Sequence, residues 1–174
     1  MKLLRIIKGK NIFPGSHPRK KAEYRLRKAA RAIVFDKENK IALLNVSKCN
    51  YYKLPGGGVE KFESLSVALQ RECLEEIGCQ IKIKSEIGRI IEYRDRFNLR
   101  QESFCYLAKV VGKKGKSHFE PGEIKEGFRA VWVKPGRAIK LIEESQPKTY
   151  DGKFIVVRDL EFITEAKKLF PNRL

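Results

Sequence analysis

Apolar and polar positions along the chain change period several times, and each change marks an element. The run LLRII at residues 3–7 reads as a short strand at the edge of a fold. Residues 11–22, NIFPGSHPRKKA, combine two prolines, a glycine and a basic run, the composition of a loop. Two β-rich runs follow, AARAIVFD at 29–36 and KIALLNV at 40–46, and the polar KENK between them predicts a hairpin-like pair. YYKLPGGG at 51–58 interrupts regular structure with a proline and three glycines.

From Ser64 the period becomes helical. Leu65, Ala68, Leu69, Cys73 and Ile77 share a face, Gly78 stands as a stop, and either Ser64 or Glu63 heads the helix. CQIKIKSEIGRIIEY (79–93) alternates well in its first half, and QESFCYLAKVV (101–111) is a second strand. KKGKSHFEPGEIKEG (113–127) reads as a polar loop, FRAVWVK (128–134) as a strand and GRAIKLIEES (136–145) as a short helix. In KFIVVRDLEFITEAKKLF (153–170), Val156, Leu160, Ile163 and Phe170 lie near one face of a last helix that Pro171 ends. Strands in the middle, one helix among them and helices at the end predict an α/β/α sandwich around a mixed β-sheet. No period of 20–50 residues recurs, which excludes a solenoid or propeller.

Composition narrows the class. A chain of 174 residues with 42% hydrophobic and 34% charged positions fits one globular domain, here assigned to residues 26–170, behind a basic arm or edge strand at 1–25. No apolar run approaches the roughly 20 residues of a membrane span, and MKLLRIIKGK lacks the apolar stretch of a secretory leader. Cys49, Cys73, Cys79 and Cys105 form no CxxC pair and no zinc-type spacing, so they are expected as reduced thiols in a cytoplasmic protein, serving as small apolar fillers. The net charge of +17 is uneven: residues 1–31 hold eleven Lys or Arg against Glu23 alone. Such a field attracts nucleotides or nucleic acid, and a solvated basic surface explains it equally well.

Against that excess, Glu72, Glu75 and Glu76 crowd into five residues beside Arg71. Spacings of three and four put the carboxylates on one helical face, where like charges repel by a few tenths of a kcal/mol per pair. They also sit toward the helix C-terminus, where the macrodipole disfavours anions. A bound cation would reverse both penalties. Oxygen donors without histidine or thiolate partners suit a hard ion, Mg²⁺ or alternatively Mn²⁺. An acidic run alone more often means solvated surface. The LPGGG loop adds a backbone that can approach a ligand closely, and one of its carbonyls can supply a further oxygen.

Read as spacing, Gly57, five residues, Glu63, seven residues, Arg71-Glu72-Cys73, one residue, Glu75-Glu76, one residue and Gly78-Cys79 match every fixed position of G-x5-E-x7-R-E-U-x-E-E-x-G-U, with U an apolar residue. The segment thereby resembles the Nudix box, with small cysteines at both U positions as a mild departure. YYKLPGG before it and EGFRAVWV after it are similar to flanking segments of that family. The resemblance implies hydrolysis of a nucleoside diphosphate linked to another group (a nucleotide, an oxidised nucleotide or a nucleotide sugar) by water attack on phosphorus. It implies Glu72 and Glu76 as metal ligands, Glu75 as a further ligand or water activator, and the Gly56 carbonyl as an extra ligand. Arg71 becomes an orienting residue, Glu63 a loop-to-helix tether or outer-shell group, and Gly57 part of the same loop.

Glu126, six residues before Trp132, matches the place of a general base used by some relatives, with Glu120 and Glu123 as rivals. Trp132 reads as core, His17 and His118 carry no partner pattern, and Tyr51, Tyr52, Phe97 and the arginines of EYRDRFNLR either line a pocket or alternate between core and surface. Two other functions fit the same residues. One is action on the 5′ end of RNA or on dinucleoside polyphosphates, with the basic arm holding nucleic acid. The other is a nucleotide- or nucleic-acid-binding module without turnover. The family resemblance also allows a homodimer.

Overall fold

The computed structural model describes residues 1–15 and 23–172; the second half of the 11–22 loop, with His17, lies outside the described residues. Seven strands form one mixed sheet: β1 (Leu3–Lys8), β2 (Arg25–Phe35), β3 (Ile41–Val46), β4 (Tyr51–Lys53), β5 (Gln80–Arg94), β6 (Leu99–Val111) and β7 (Phe128–Val133). Their order is β1-β5-β6-β2-β3-β4, with β7 on β3; β1 runs parallel to β5 and β2 parallel to β6. Helices α1 (Leu65–Ile77), α2 (Pro121–Glu126), α3 (Pro135–Glu143) and α4 (Tyr150–Leu169) complete the fold.

The period of two decides which helix covers which face. On β2 and β3, Ile33, Phe35, Ile41 and Leu43 join a core with Ala138, Ile142, Phe154 and Phe162 of α3 and α4. The intervening Ala30, Ala32, Val34, Ala42 and Leu44 join Ala68, Leu69, Cys73 and Ile77 of α1 on the other face. The small alanines of β2 let α1 lie close to the sheet. The result is the α/β/α sandwich expected from the element order.

Several local readings need correction. Residues 113–127 are not all loop: Glu120 heads the short helix α2, its amide donating to Glu123, and Pro121 opens its first turn. Tyr51–Lys53 is a strand, and β2 begins at Arg25, before the apolar run. The deepest stripe of α4 is Phe154, Arg158, Asp159, Phe162, Ile163 and Ala166, whereas Val156, Leu160 and Phe170 pack only at its flank. Two charged residues thus occupy the buried face, which binary patterning assigns to water. They are compensated: Arg158 Nε donates to Asp159 at 2.7 Å, Asp159 accepts the Leu54 amide at 2.8 Å, and Glu92 lies 3.5 Å from Arg158.

Candidate active site

The LPGGG loop runs beside β2 as an irregular strand. Pro55 accepts the Ala32 amide and Gly57 the Ala30 amide, while the Gly56 carbonyl between them meets no donor among the described residues. Gly56 has φ +124°, and a Cβ there would collide with the Ala30 carbonyl, so the turn requires glycine. A Cβ on Gly57 would fill the space taken by the Glu72 carboxylate. The loop is therefore pressed between a strand and the acidic face of α1.

Helix α1 starts at Ser64, whose hydroxyl accepts the Val67 amide, and ends at left-handed Gly78. Glu63 is left free for another partner. It takes Arg71 Nε at 3.0 Å and Nη2 at 3.1 Å, a two-point contact that ties the loop to the helix. Arg71 also donates to Glu72 (3.0 Å), Glu75 (3.2 Å) and the Gly58 carbonyl (3.0 Å). One guanidinium gathers three carboxylates. Its contact holds Glu63 below the usual carboxylate range.

Glu76 is placed differently. It is 1% exposed, accepts the Gly56 amide at 2.5 Å, and pairs with Lys53 at 2.9 Å. Burial pushes its pKa up, against the pull of Lys53 and the Gly56 amide. Among the described residues, no three Asp, Glu, His or Cys side chains converge on one metal-sized point. Each helix glutamate is drawn instead to a cation of the chain itself. The donor set nonetheless suits a hard dication: three carboxylates and one donor-free carbonyl, all oxygen, with the Glu72 carboxylate lying in room that only a glycine at 57 leaves.

These groups line a cleft of about 410 Å³. Gly56, Gly57, Glu72, Glu75 and Glu76 form one wall, and Glu120, Glu123 and Glu126 face the same cleft from α2 and its cap. The α2 loop is fastened to α1, for the His118 amide donates to the Glu75 carbonyl and the Gly115 amide to that of Gly78. Glu126 is exposed and Glu123 half-buried. Burial raises the pKa of Glu123, against the hydrogen bond from the Glu120 amide. Arg71 and Glu63 stand behind the acidic wall. Trp132 is half-buried on β7 with the Lys114 ammonium 3.7 Å from its ring centre. Tyr51 and Arg94 reach the cleft. Phe97 instead packs edge-on against Tyr150.

Sequence reasoning missed Lys53, Arg27 and Arg31 as cleft residues. Lys53 was hidden in the loop motif, the other two in the basic count. The alternation of β2 carries the signal for the arginines: Arg27 and Arg31 fall in phase with Ile33 and Phe35, toward α4.

A profile of the NUDIX domain matches residues 25–152. Diphosphoinositol polyphosphate phosphohydrolase 2 of Rattus norvegicus is 28% identical over 126 residues, which are 70% of this chain and 65% of that protein. This chain therefore spans just under two thirds of that relative's length. An RNA pyrophosphohydrolase of Campylobacter jejuni is 32% identical over 120 residues, 68% of this chain and 67% of that protein. Among solved structures, the Ap4A hydrolase of C. elegans superposes with a TM-score of 0.59 at 16% identity, over 84% of this chain and 99% of that one. At that identity the likeness concerns the fold.

Proposed function

The chain belongs to the Nudix family of hydrolases, and from that premise we propose that it hydrolyses a phosphoric anhydride in a nucleoside diphosphate linked to a further group, with Mg²⁺ or Mn²⁺ as cofactor. The observation that carries this reading is the clustering of Glu72, Glu75 and Glu76 against the glycine loop in one cleft.

When bound, a divalent ion polarises a phosphoryl oxygen and lowers the pKa of water. Glu72, Glu75, Glu76 and the Gly56 carbonyl would hold it. Arg71 keeps Glu72 and Glu75 together, and Glu63 fixes Arg71 by its two-point contact. That preorganisation matters because a carboxylate that must first be found and turned loses much of its effect. Lys53 holds Glu76 in place and lines the same cleft, where its ammonium would meet a phosphoryl oxygen if Glu76 served a cation instead.

The proton of the attacking water goes to a carboxylate of the acidic walls, Glu75 on α1 or Glu126 on α2. Glu123 competes for that role, since its half-buried carboxylate has a pKa closer to neutrality than an exposed one. The free thiols, three of them buried, suit a reducing cytoplasm. No helix among the described residues is long and apolar enough to cross a membrane.

The test is phosphate and nucleotide release from a panel of nucleoside di- and triphosphate derivatives, with and without Mg²⁺. Turnover should need the metal, and Glu76→Gln should lower kcat by at least about 100-fold, the scale of losing an electrostatic contact made in the transition state. Unchanged turnover in Glu76→Gln would refute the assignment. In Glu123→Gln and Glu126→Gln, the variant that loses the acidic limb of the kcat–pH profile identifies the base.

A further inference from the structure

The cleft that holds the glutamates also has a cationic lining. Arg31 is 5% exposed, lines the cleft, and its Nε and Nη1 meet no hydrogen-bond partner among the described residues. Arg94, also 5% exposed and lining the cleft, donates to Asp151 at 2.7 Å and Glu92 at 2.8 Å but finds no partner for Nε among the described residues. Arg27 stands at the rim and donates to Gln101 at 2.7 Å. Behind them Arg158 is fully buried, with Nη1 and Nη2 lacking hydrogen-bond partners among the described residues.

Burial and the neighbouring Arg158 together pull the Arg31 pKa down to about 10, so Arg31 keeps its charge near neutral pH. The carboxylates of this region are already committed. Glu92 pairs with Arg94 and Arg158, and Asp159 with Arg158 and the Leu54 amide. Asp159 and Glu76 attract Arg31 through space, yet its Nε and Nη1 take no hydrogen bond to either among the described residues. A buried guanidinium left so poorly bonded is costly, which makes the surrounding protein a poor sole explanation for it. A ligand anion would complete it, and the planar fork of arginine matches phosphate at two points.

We propose that Arg31, flanked by Arg27 and Arg94, is an anion subsite for a phosphate beyond the scissile anhydride, so that the substrate carries three or more consecutive phosphates. This deepens, and rests on, the reading of the acidic wall as the reaction centre. The acidic wall engages the diphosphate that reacts, and the arginine wall takes the next phosphate. A nucleotide sugar would instead set a neutral ring against the unpaired guanidinium, which leaves the charge uncompensated. Nucleoside triphosphates, dinucleoside polyphosphates and the triphosphate end of RNA all present the required group.

The experiment compares wild type, Arg31→Gln and Arg31→Met. Inorganic triphosphate and pyrophosphate are titrated calorimetrically in EDTA, and kcat/KM is measured with Mg²⁺ for a nucleoside triphosphate, a dinucleoside tetraphosphate, triphosphorylated RNA and ADP-ribose. Triphosphate should bind wild type more tightly than pyrophosphate, and both variants should lose that preference. Arg31→Gln should lower kcat/KM for the triphosphate-bearing substrates by about 10–100-fold, the worth of one charged contact, and that for ADP-ribose by less than threefold. The fastest of the three identifies the source of the phosphate chain.

Without ligand, the variants should melt at or above the wild-type temperature, because an unpaired buried charge has gone. Equal losses on all substrates, or a lowered melting temperature with no loss of triphosphate preference, would overturn the subsite. If wild type turns over none of the substrates, the catalytic reading fails separately, and the calorimetric preference still decides for or against the subsite.

Discussion

Replacing Lys53 by Met tests whether Glu76 is built to turn toward a cation. The substitution keeps most of the aliphatic stem, which reaches over the Phe128 ring with its ammonium 4.9 Å from the centre, and removes only the charge. Glu76, 1% exposed, then retains the Gly56 amide but no counter-charge. Breaking one side of a buried pair costs about 3–5 kcal/mol. In a domain of this size each kcal/mol moves the melting temperature by about 2–4 °C, so Lys53→Met should melt roughly 6–20 °C below wild type in EDTA.

Magnesium should change the comparison. In wild type an ion drawn to Glu76 would have to displace the Lys53 ammonium, and like charges about 4 Å apart repel by several kcal/mol at an effective dielectric near 20. The variant has no such competitor. At about 100-fold excess over its dissociation constant, an ion stabilises by about 2.7 kcal/mol, worth roughly 5–10 °C here. Differential scanning calorimetry with and without Mg²⁺ should therefore show a larger metal-induced rise in Lys53→Met than in wild type. A deficit that is the same in EDTA and in Mg²⁺ would mean that Glu76 does not turn to a cation, and the acidic wall would lose its role.

Two further outcomes follow from the same geometry. Gly57→Ala places a Cβ where the Glu72 carboxylate lies, so kcat/KM should fall at least about tenfold while the melting temperature drops by no more than a few degrees, as expected when a side chain and not the backbone must move; activity within twofold of wild type would contradict the contact. Glu63 has a folded pKa below its ordinary value of 4.5 because Arg71 donates to it, so its stabilising effect is present above that value and is lost as pH falls through the depressed one. Glu63→Gln should accordingly lower stability at pH 7 and flatten its acid-side decline, and urea midpoints that fall equally steeply with acid in both proteins would refute the linkage.

The acidic wall was legible because it is local. Glu72, Glu75 and Glu76 lie within two turns of one helix, and the glycine loop and Glu63 precede them in a fixed spacing. What Arg71 does with them follows from helical spacing as well, since Glu75 is four residues on. The helix in residues 121–126 was not legible, because six residues with a glycine and Ile124 as the one large apolar side chain show no apolar stripe; their helicity comes from the Glu120 cap, Pro121 and left-handed Gly127. The face of α4 was misread for a related reason. Periodicity counts apolar residues, and Arg158 and Asp159 are buried by partners on β5 and in the 54–58 loop, 66 and 105 residues away in sequence.

The chain by itself determined its class and its acidic cluster: alternation on β2 and β3, helical spacing on α1, and a motif whose members share one short segment. The tertiary structure decided what shares a cleft with that cluster. Lys53 meets Glu76 across 23 residues, Arg27 and Arg31 come from β2, and Arg94 from the far end of β5, all drawn to one cleft by the order of strands in the sheet. Charge compensation between distant segments leaves no period in a sequence, because it depends on distance in space and on burial. Neither exists until the sheet has closed between its helices.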